Sequence, residues 1–249
     1  MTRVLVLCIG LVVAADSAYA QRGGGPPQPA RTPREAAPVD LTGTWVSVIS
    51  EDWQWRMQTP APKDYASVPL TPAASKVADA WTTDQDGLCK AFGAAAVMRH
   101  PGRVRISWQD DQTLKIETDA GVQTRLLRFG PKPATMPSPS LQGYSAAEWQ
   151  GQAPAGPAAA ASKEPPRAGS LKVVTTNLTA GWLRKNGIPY SENTVLTEYF
   201  DRFTDGTSEW FAITTMVEDP ANLTMTWVTS PHFKKEADST RWTPVPCRL

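Results

Sequence analysis

The sequence predicts a mostly-β domain, an antiparallel barrel or strongly curved sandwich with one short helix. Three observations predict it. Apolar and polar residues alternate over many short runs, turn dipeptides separate those runs, and no crossover helices lie between them. About eight strands joined by short turns suit a closed or nearly closed antiparallel architecture better than a parallel α/β one.

The series begins at 45–49. The next stretch, 51–57, also alternates, with Asp52, Gln54 and Arg56 on one side and Trp53, Trp55 and Met57 on the other. A single helix follows, where Thr71 can cap and Pro72 suits the first helical position, with Val77 and Trp81 one turn apart. Val104, Ile106 and Trp108 then alternate with Arg103, Arg105 and Ser107. The turn 109–112 leads to Leu114 and Ile116, and Asp119-Ala120-Gly121 turns into 122–129, giving a three-strand meander. Residues 171–177 form another strand. Residues 194–203 and 210–217 flank Asp205-Gly206, a strong hairpin signal, and Asp219-Pro220 turns into 223–229.

The N-terminus reads as a secretory signal over 1–20. Arg3 is the positive start, 4–15 is an apolar run too short to span a bilayer, and Ala18-Tyr19-Ala20 is a small-x-small cleavage site before Gln21. This implies a periplasmic or secreted protein with no membrane span after cleavage. Residues 21–38, rich in Gly, Pro and Arg, are expected to be a disordered leader. The rest, 39–249, reads as a single β domain interrupted by a low-complexity insertion at about 130–169. Within that insertion Tyr144 and Trp149 mark an island able to dock.

Of the 3 cysteines, Cys8 leaves with the signal. Cys89 and Cys247 remain, an even count that suggests one disulfide in an oxidising compartment. A net charge of +1 offers no electrostatic footprint for nucleic acid. No phosphate-binding, dinucleotide-binding, nucleophile-elbow or zinc-protease motif occurs, so no cofactor is expected. With 2 histidines and no C-x-x-C, no metal site is expected either.

Two resemblances add to this reading. Leu41-Thr42-Gly43-Thr44-Trp45 resembles the G-x-W opening of lipocalins and other calycin barrels, which implies that architecture and a structural Trp45. A longer series is similar to a widespread group of exported bacterial proteins of unassigned function. It comprises Gly143-Tyr144-Ser145 with Trp149, Leu171 to Thr176, Ser191-Glu192, Thr197-Glu198-Tyr199-Phe200-Asp201-Arg202 and Glu218-Asp219-Pro220. That resemblance implies export and a β fold.

Glu198 is the most informative single residue, a carboxylate sharing a strand face with Leu196 and Phe200. Buried, it is either a general acid or base of raised pKa or the partner of a nearby cation. His232, at a strand end, can exchange protons near neutral pH. The pair Glu198 and His232 is expected beside one cavity, with Arg184 and Tyr190 from the polar segment 183–193 at its rim, Trp53 or Trp55 on its wall, and Arg56 as a further ligand-binding residue. The 10 Trp favour an aromatic-lined cavity. Three functions remain open. The first is binding of a small apolar or aromatic molecule in the barrel, the second a cofactor-independent lyase, isomerase or hydratase using Glu198 and His232, and the third a structural role in the cell envelope.

Overall fold

The computed structural model describes residues 31–151 and 169–247. The signal segment 1–20, residues 21–30 of the leader and residues 152–168 of the insertion lie outside the described residues.

Nine strands close into a barrel. They are β1 (Gly43–Val48), β2 (Arg103–Asp110), β3 (Thr113–Thr118), β5 (Thr124–Phe129), β6 (Tyr144–Gln150), β7 (Ser170–Thr176), β10 (Val195–Asp205), β11 (Ser208–Glu218) and β13 (His232–Lys235). Round the wall they run β10-β7-β6-β5-β3-β2-β1-β13-β11, and β10 pairs with β11 to close the ring. β12 (Trp227–Thr229) extends β11 beyond β13. Four short strands lie outside the wall: the hairpin β8 (Gly181–Arg184) with β9 (Ile188–Tyr190), and β4 (Ala120–Gly121) paired in parallel with β14 (Val245–Pro246). Closure leaves the wall no open edge.

The wall is antiparallel except where β6 runs parallel to β5. β6 lies inside the stretch expected to be an insertion. The boundary therefore needs correction: Tyr144, Ser145 and Ala147 are buried wall residues. Residues 130–143 carry the chain back along the barrel, the crossover that a parallel neighbour requires. The leader also ends earlier than expected. Pro33 O accepts from Trp149 Nε1 at 2.8 Å, and Arg34 N donates to Asp111 O at 3.2 Å.

The lumen is packed with side chains, as alternation demands. Trp45, Ile116, Leu127, Leu171, Phe200, Phe211 and Phe233 are buried there. Phe211 sits at the centre, with ring centroids 4.8 Å from Trp45, 4.7 Å from Phe233 and 6.1 Å from Phe200. Trp45 Nε1 donates to Leu41 O at 2.9 Å, so the indole is buried in the lumen with its polar atom satisfied.

The connections 49–102, 177–194 and 219–231 gather at one end of the barrel and form a cap. Three α-helices lie in it, α1 (Trp53–Arg56), α2 (Pro72–Asp79) and α3 (Ala94–Val97), with two 3-10 turns between the last two. α2 is the expected helix, its Ala74 N donating to Thr71 Oγ1 at 3.1 Å. α1 replaces the strand-like alternation read over 51–57. A helical turn rotates successive side chains by about 100°, so Trp53 and Trp55 no longer share a wall. Trp53 is 67% exposed while Arg56 is buried.

Candidate functional site

Glu198 points into the lumen between Leu196 and Phe200, as its strand predicts. Its partner is Arg125 of β5, which donates from Nη1 to Oε1 at 3.0 Å and from Nη2 to Oε2 at 2.5 Å. Thr175 Oγ1 lies 3.5 Å from Arg125 Nη2 and 2.7 Å from Ser145 Oγ, completing a polar layer in the lumen on the cap side. Both Glu198 oxygens accept from one guanidinium, and the pair is sealed in the packed lumen where no solvent reaches the carboxylate. The ion-pair alternative for Glu198 is the one observed.

His232 does not join it. On β11, Glu198 lies opposite Thr215 and His232 opposite Ala212. Those positions differ by an odd number of residues, so the two side chains leave opposite faces of the wall. His232 lies on the outside, its Nδ1 2.8 Å from Ser50 Oγ and its ring edge-on to Phe203 at 6.4 Å. The expected acid–base pair is therefore corrected, because its two members are separated by the barrel wall.

The cap does bring other expected residues together. Arg184 reaches back from β8 to donate from Nη1 to Ala66 O and from Nη2 to Ser67 Oγ, both at 2.8 Å. Its guanidinium lies 5.0 Å from the Trp55 ring centroid. Arg56 donates from Nε to Arg99 O at 2.9 Å. Arg99, which sequence reasoning missed, links the group, donating to Glu51 at 3.0 Å and Asp52 at 2.7 Å and lying 4.8 Å from the Trp227 ring. Burial pushes Arg56 and Arg184 down to about 10, helped in each case by the Arg99 charge and opposed by Asp52, with Glu51 also opposing at Arg56 and Asp64 at Arg184. Arg99 follows an alanine-rich run with no polar periodicity, so only its charge next to a buried stretch marked it.

Tyr190 is not at a rim. It is buried in the cap, its hydroxyl close to Gly93 and Gly181, where a side chain on either glycine would meet it. Burial raises its pKa. Trp53 faces solvent and belongs to no wall.

Beside the cap opens a cleft of about 570 Å³. Phe92 and His100 stack within its lining at a centroid distance of 4.4 Å and an angle of 29°. Lys185 lies 5.6 Å from the Phe92 centroid, and Thr83 and Asp84 add polar atoms. Gly121 is required under the aromatic pair. At φ +77° it adopts a backbone that glycine favours, and a Cβ there would fall 2.2 Å from Phe92 Cδ1. Burial pushes His100 down to about 4, against the opposing bond to Ala91 O at 2.6 Å. Since a carbonyl only accepts, Nε2 carries the proton and Nδ1 keeps its lone pair.

The expected disulfide forms one side of this cleft. Cys89 and Cys247 are bonded with a Cα–Cα distance of 5.4 Å. They hold the C-terminal tail where β14 pairs with β4 and Val245 N donates to Asp119 O at 2.8 Å. On its way the tail lays Trp242 over the Arg105 guanidinium at 3.7 Å.

Among the described residues no His, Cys, Asp and Glu group is arranged to hold a metal ion, and no helix is long and apolar enough to cross a membrane. No family model, curated protein or solved structure matches this chain.

Proposed function

We propose that this is an exported protein, periplasmic or secreted, that binds a small flat apolar or aromatic molecule carrying a negative group. The ligand lies in the cleft beside the disulfide. The observation that carries the reading is the stacked Phe92–His100 pair with Lys185 alongside it in a space of about 570 Å³. Pockets that take small ligands are of this size and combine apolar walls with a few placed polar groups. Phe92 and neutral His100 offer ring faces, Pro101 and Val245 extend the apolar surface, and Lys185 attracts an anionic substituent.

This reading keeps the small-molecule partner expected from the sequence and moves it out of the lumen, which aromatic side chains fill. The enzyme reading has less support, because Glu198 is held by Arg125 and His232 stands on the outer face.

Calorimetric titration with 2-naphthoate and with uncharged 2-naphthalenemethanol tests it. The expected result is one site per chain, tighter for the carboxylate, with Lys185→Met weakening naphthoate about tenfold, the loss of one charge-assisted contact. No heat from either compound, or equal naphthoate affinity in Lys185→Met, refutes the proposal.

A further inference from the structure

Two of the cap connections turn their charges inward. Residues 51–71 and 219–230 carry Glu51, Asp52, Arg56, Lys63, Asp64 and Asp219. Arg99 takes Glu51 at 3.0 Å and Asp52 at 2.7 Å. Asp64 accepts from Trp55 Nε1 at 2.8 Å and Asp219 from Ser191 N at 2.7 Å, while Arg56 is buried. Among these described residues Lys63 alone is exposed.

What the same connections leave outside is apolar. Trp53 and Met225 are each 67% exposed, Met57 59% and Val228 56%. The connections lie side by side: Thr71 N donates to Asn222 O at 2.9 Å, Thr224 N to Pro69 O at 2.8 Å and Ser230 N to Glu51 Oε2 at 2.8 Å. The turn that carries Trp53 is fixed. Asp52 sits in the left-handed region at φ 48°, its carbonyl accepts from Trp55 N and Arg56 N at 3.0 Å, and its carboxylate is held by Arg99. A Trp presented on so fixed a turn loses little freedom on contact.

Large apolar side chains exposed together mark an interaction surface, and one depleted of charge but carrying Trp and Met has the composition of an interface core. The charge pattern selects the partner. Adhesion to a lipid surface draws on clustered Lys and Arg at its contact face, whereas here Arg56, Arg99 and Arg184 are buried. A charged protein would find no counter-charge. A second copy fits, because a two-fold contact sets a surface against itself, and one with Lys63 as its exposed charge does not repel its twin.

We propose that two copies of this chain associate through the cap, burying Trp53, Met57, Met225 and Val228 between them. These residues are not among those lining the ligand cleft, and the association does not depend on the function proposed above.

Sedimentation equilibrium between about 1 and about 100 µM tests it, the expected result being a dimer of micromolar dissociation constant. Trp53→Glu and Met225→Glu should each weaken the dimer at least thirtyfold, roughly the loss of one buried anchor. Phe203→Glu, on the exposed barrel wall, should leave it unchanged. Because these side chains are exposed in the single chain, urea midpoints should match wild type in all the variants. A monomer throughout the range, or a dimer that survives both cap variants, overturns the proposal. A monomer that pellets with phosphatidylcholine vesicles, and no longer does so as Trp53→Glu, overturns it in favour of a lipid surface.

Discussion

Replacing Glu198 by Leu while Arg125 stays in place strands a guanidinium inside the lumen. The two side chains are 0% and 1% exposed and joined by two hydrogen bonds, so neither can reach solvent without opening the wall. With charge centres about 4 Å apart and an effective dielectric near 20, the attraction is about 4 kcal/mol. Removing one member of such a pair costs about 3–5 kcal/mol, since the survivor stays buried and unpaired. Glu198→Leu and Arg125→Met should each lower the urea midpoint by about 2 M, taking a slope of roughly 2 kcal/mol per M. The double variant should recover most of that loss, because two apolar side chains suit the aromatic lumen around Phe200 and Phe211. Equilibrium unfolding of the four proteins gives the coupling energy directly. Single variants losing under about 1 kcal/mol, or losses that simply add, would refute the argument that the pair is a closed structural unit.

The pH dependence should carry the signature of His100. Its folded pKa of about 4 lies below an ordinary histidine's about 6.5, so below pH 6.5 the unfolded chain binds the extra proton. Stability should therefore rise with pH between about 4 and 6.5, by at most about 3 kcal/mol, and His100→Phe should flatten that slope in urea midpoints measured across the window. Reducing the disulfide should cost up to about 5 kcal/mol for a separation of 158 residues and weaken naphthoate binding, because the tail is one side of the cleft; identical midpoints with and without reductant would contradict this. His232→Ala should leave both stability and naphthoate affinity within about 0.5 kcal/mol of wild type, as read by the same melts and titrations. Intact mass of the exported protein should begin at Gln21, and a full-length mass there would contradict the cleavage site.

The barrel was legible because strand alternation is a local signal. Val104, Ile106, Leu114, Ile116, Leu196 and Phe200 all face inward as their spacing predicts. Glu198 was legible for the same reason. Its partner was not, since Arg125 lies far back in the chain on a strand whose alternation marks it only as one cation among several. β6 was hidden by composition. Alanine-rich flanks made Tyr144 to Trp149 resemble an insertion, yet pairing with β5 and β7 supplies the backbone bonds that its own side chains do not signal. The segment 51–57 misled through a short period, since alternation over so few residues does not distinguish a strand from one turn of helix. His232 misled through register: strand ends surround a barrel mouth, but parity decides whether a side chain enters it.

The pairing of β1 with both β2 and β13 bears on how the molecule comes into being. Val46 lies between Arg103 of β2 on one side and Lys234 of β13, almost at the end of the chain, on the other. Until that late strand arrives, β1 presents an open edge, and Trp45 lacks the Phe211 and Phe233 rings that enclose it. Contacts this distant in sequence make for slow folding, because the closing entropy precedes the reward. A growing chain thus cannot close its barrel until β13 has been made. Deleting β13 should not trim the barrel but leave an open sheet prone to pair with its own copies.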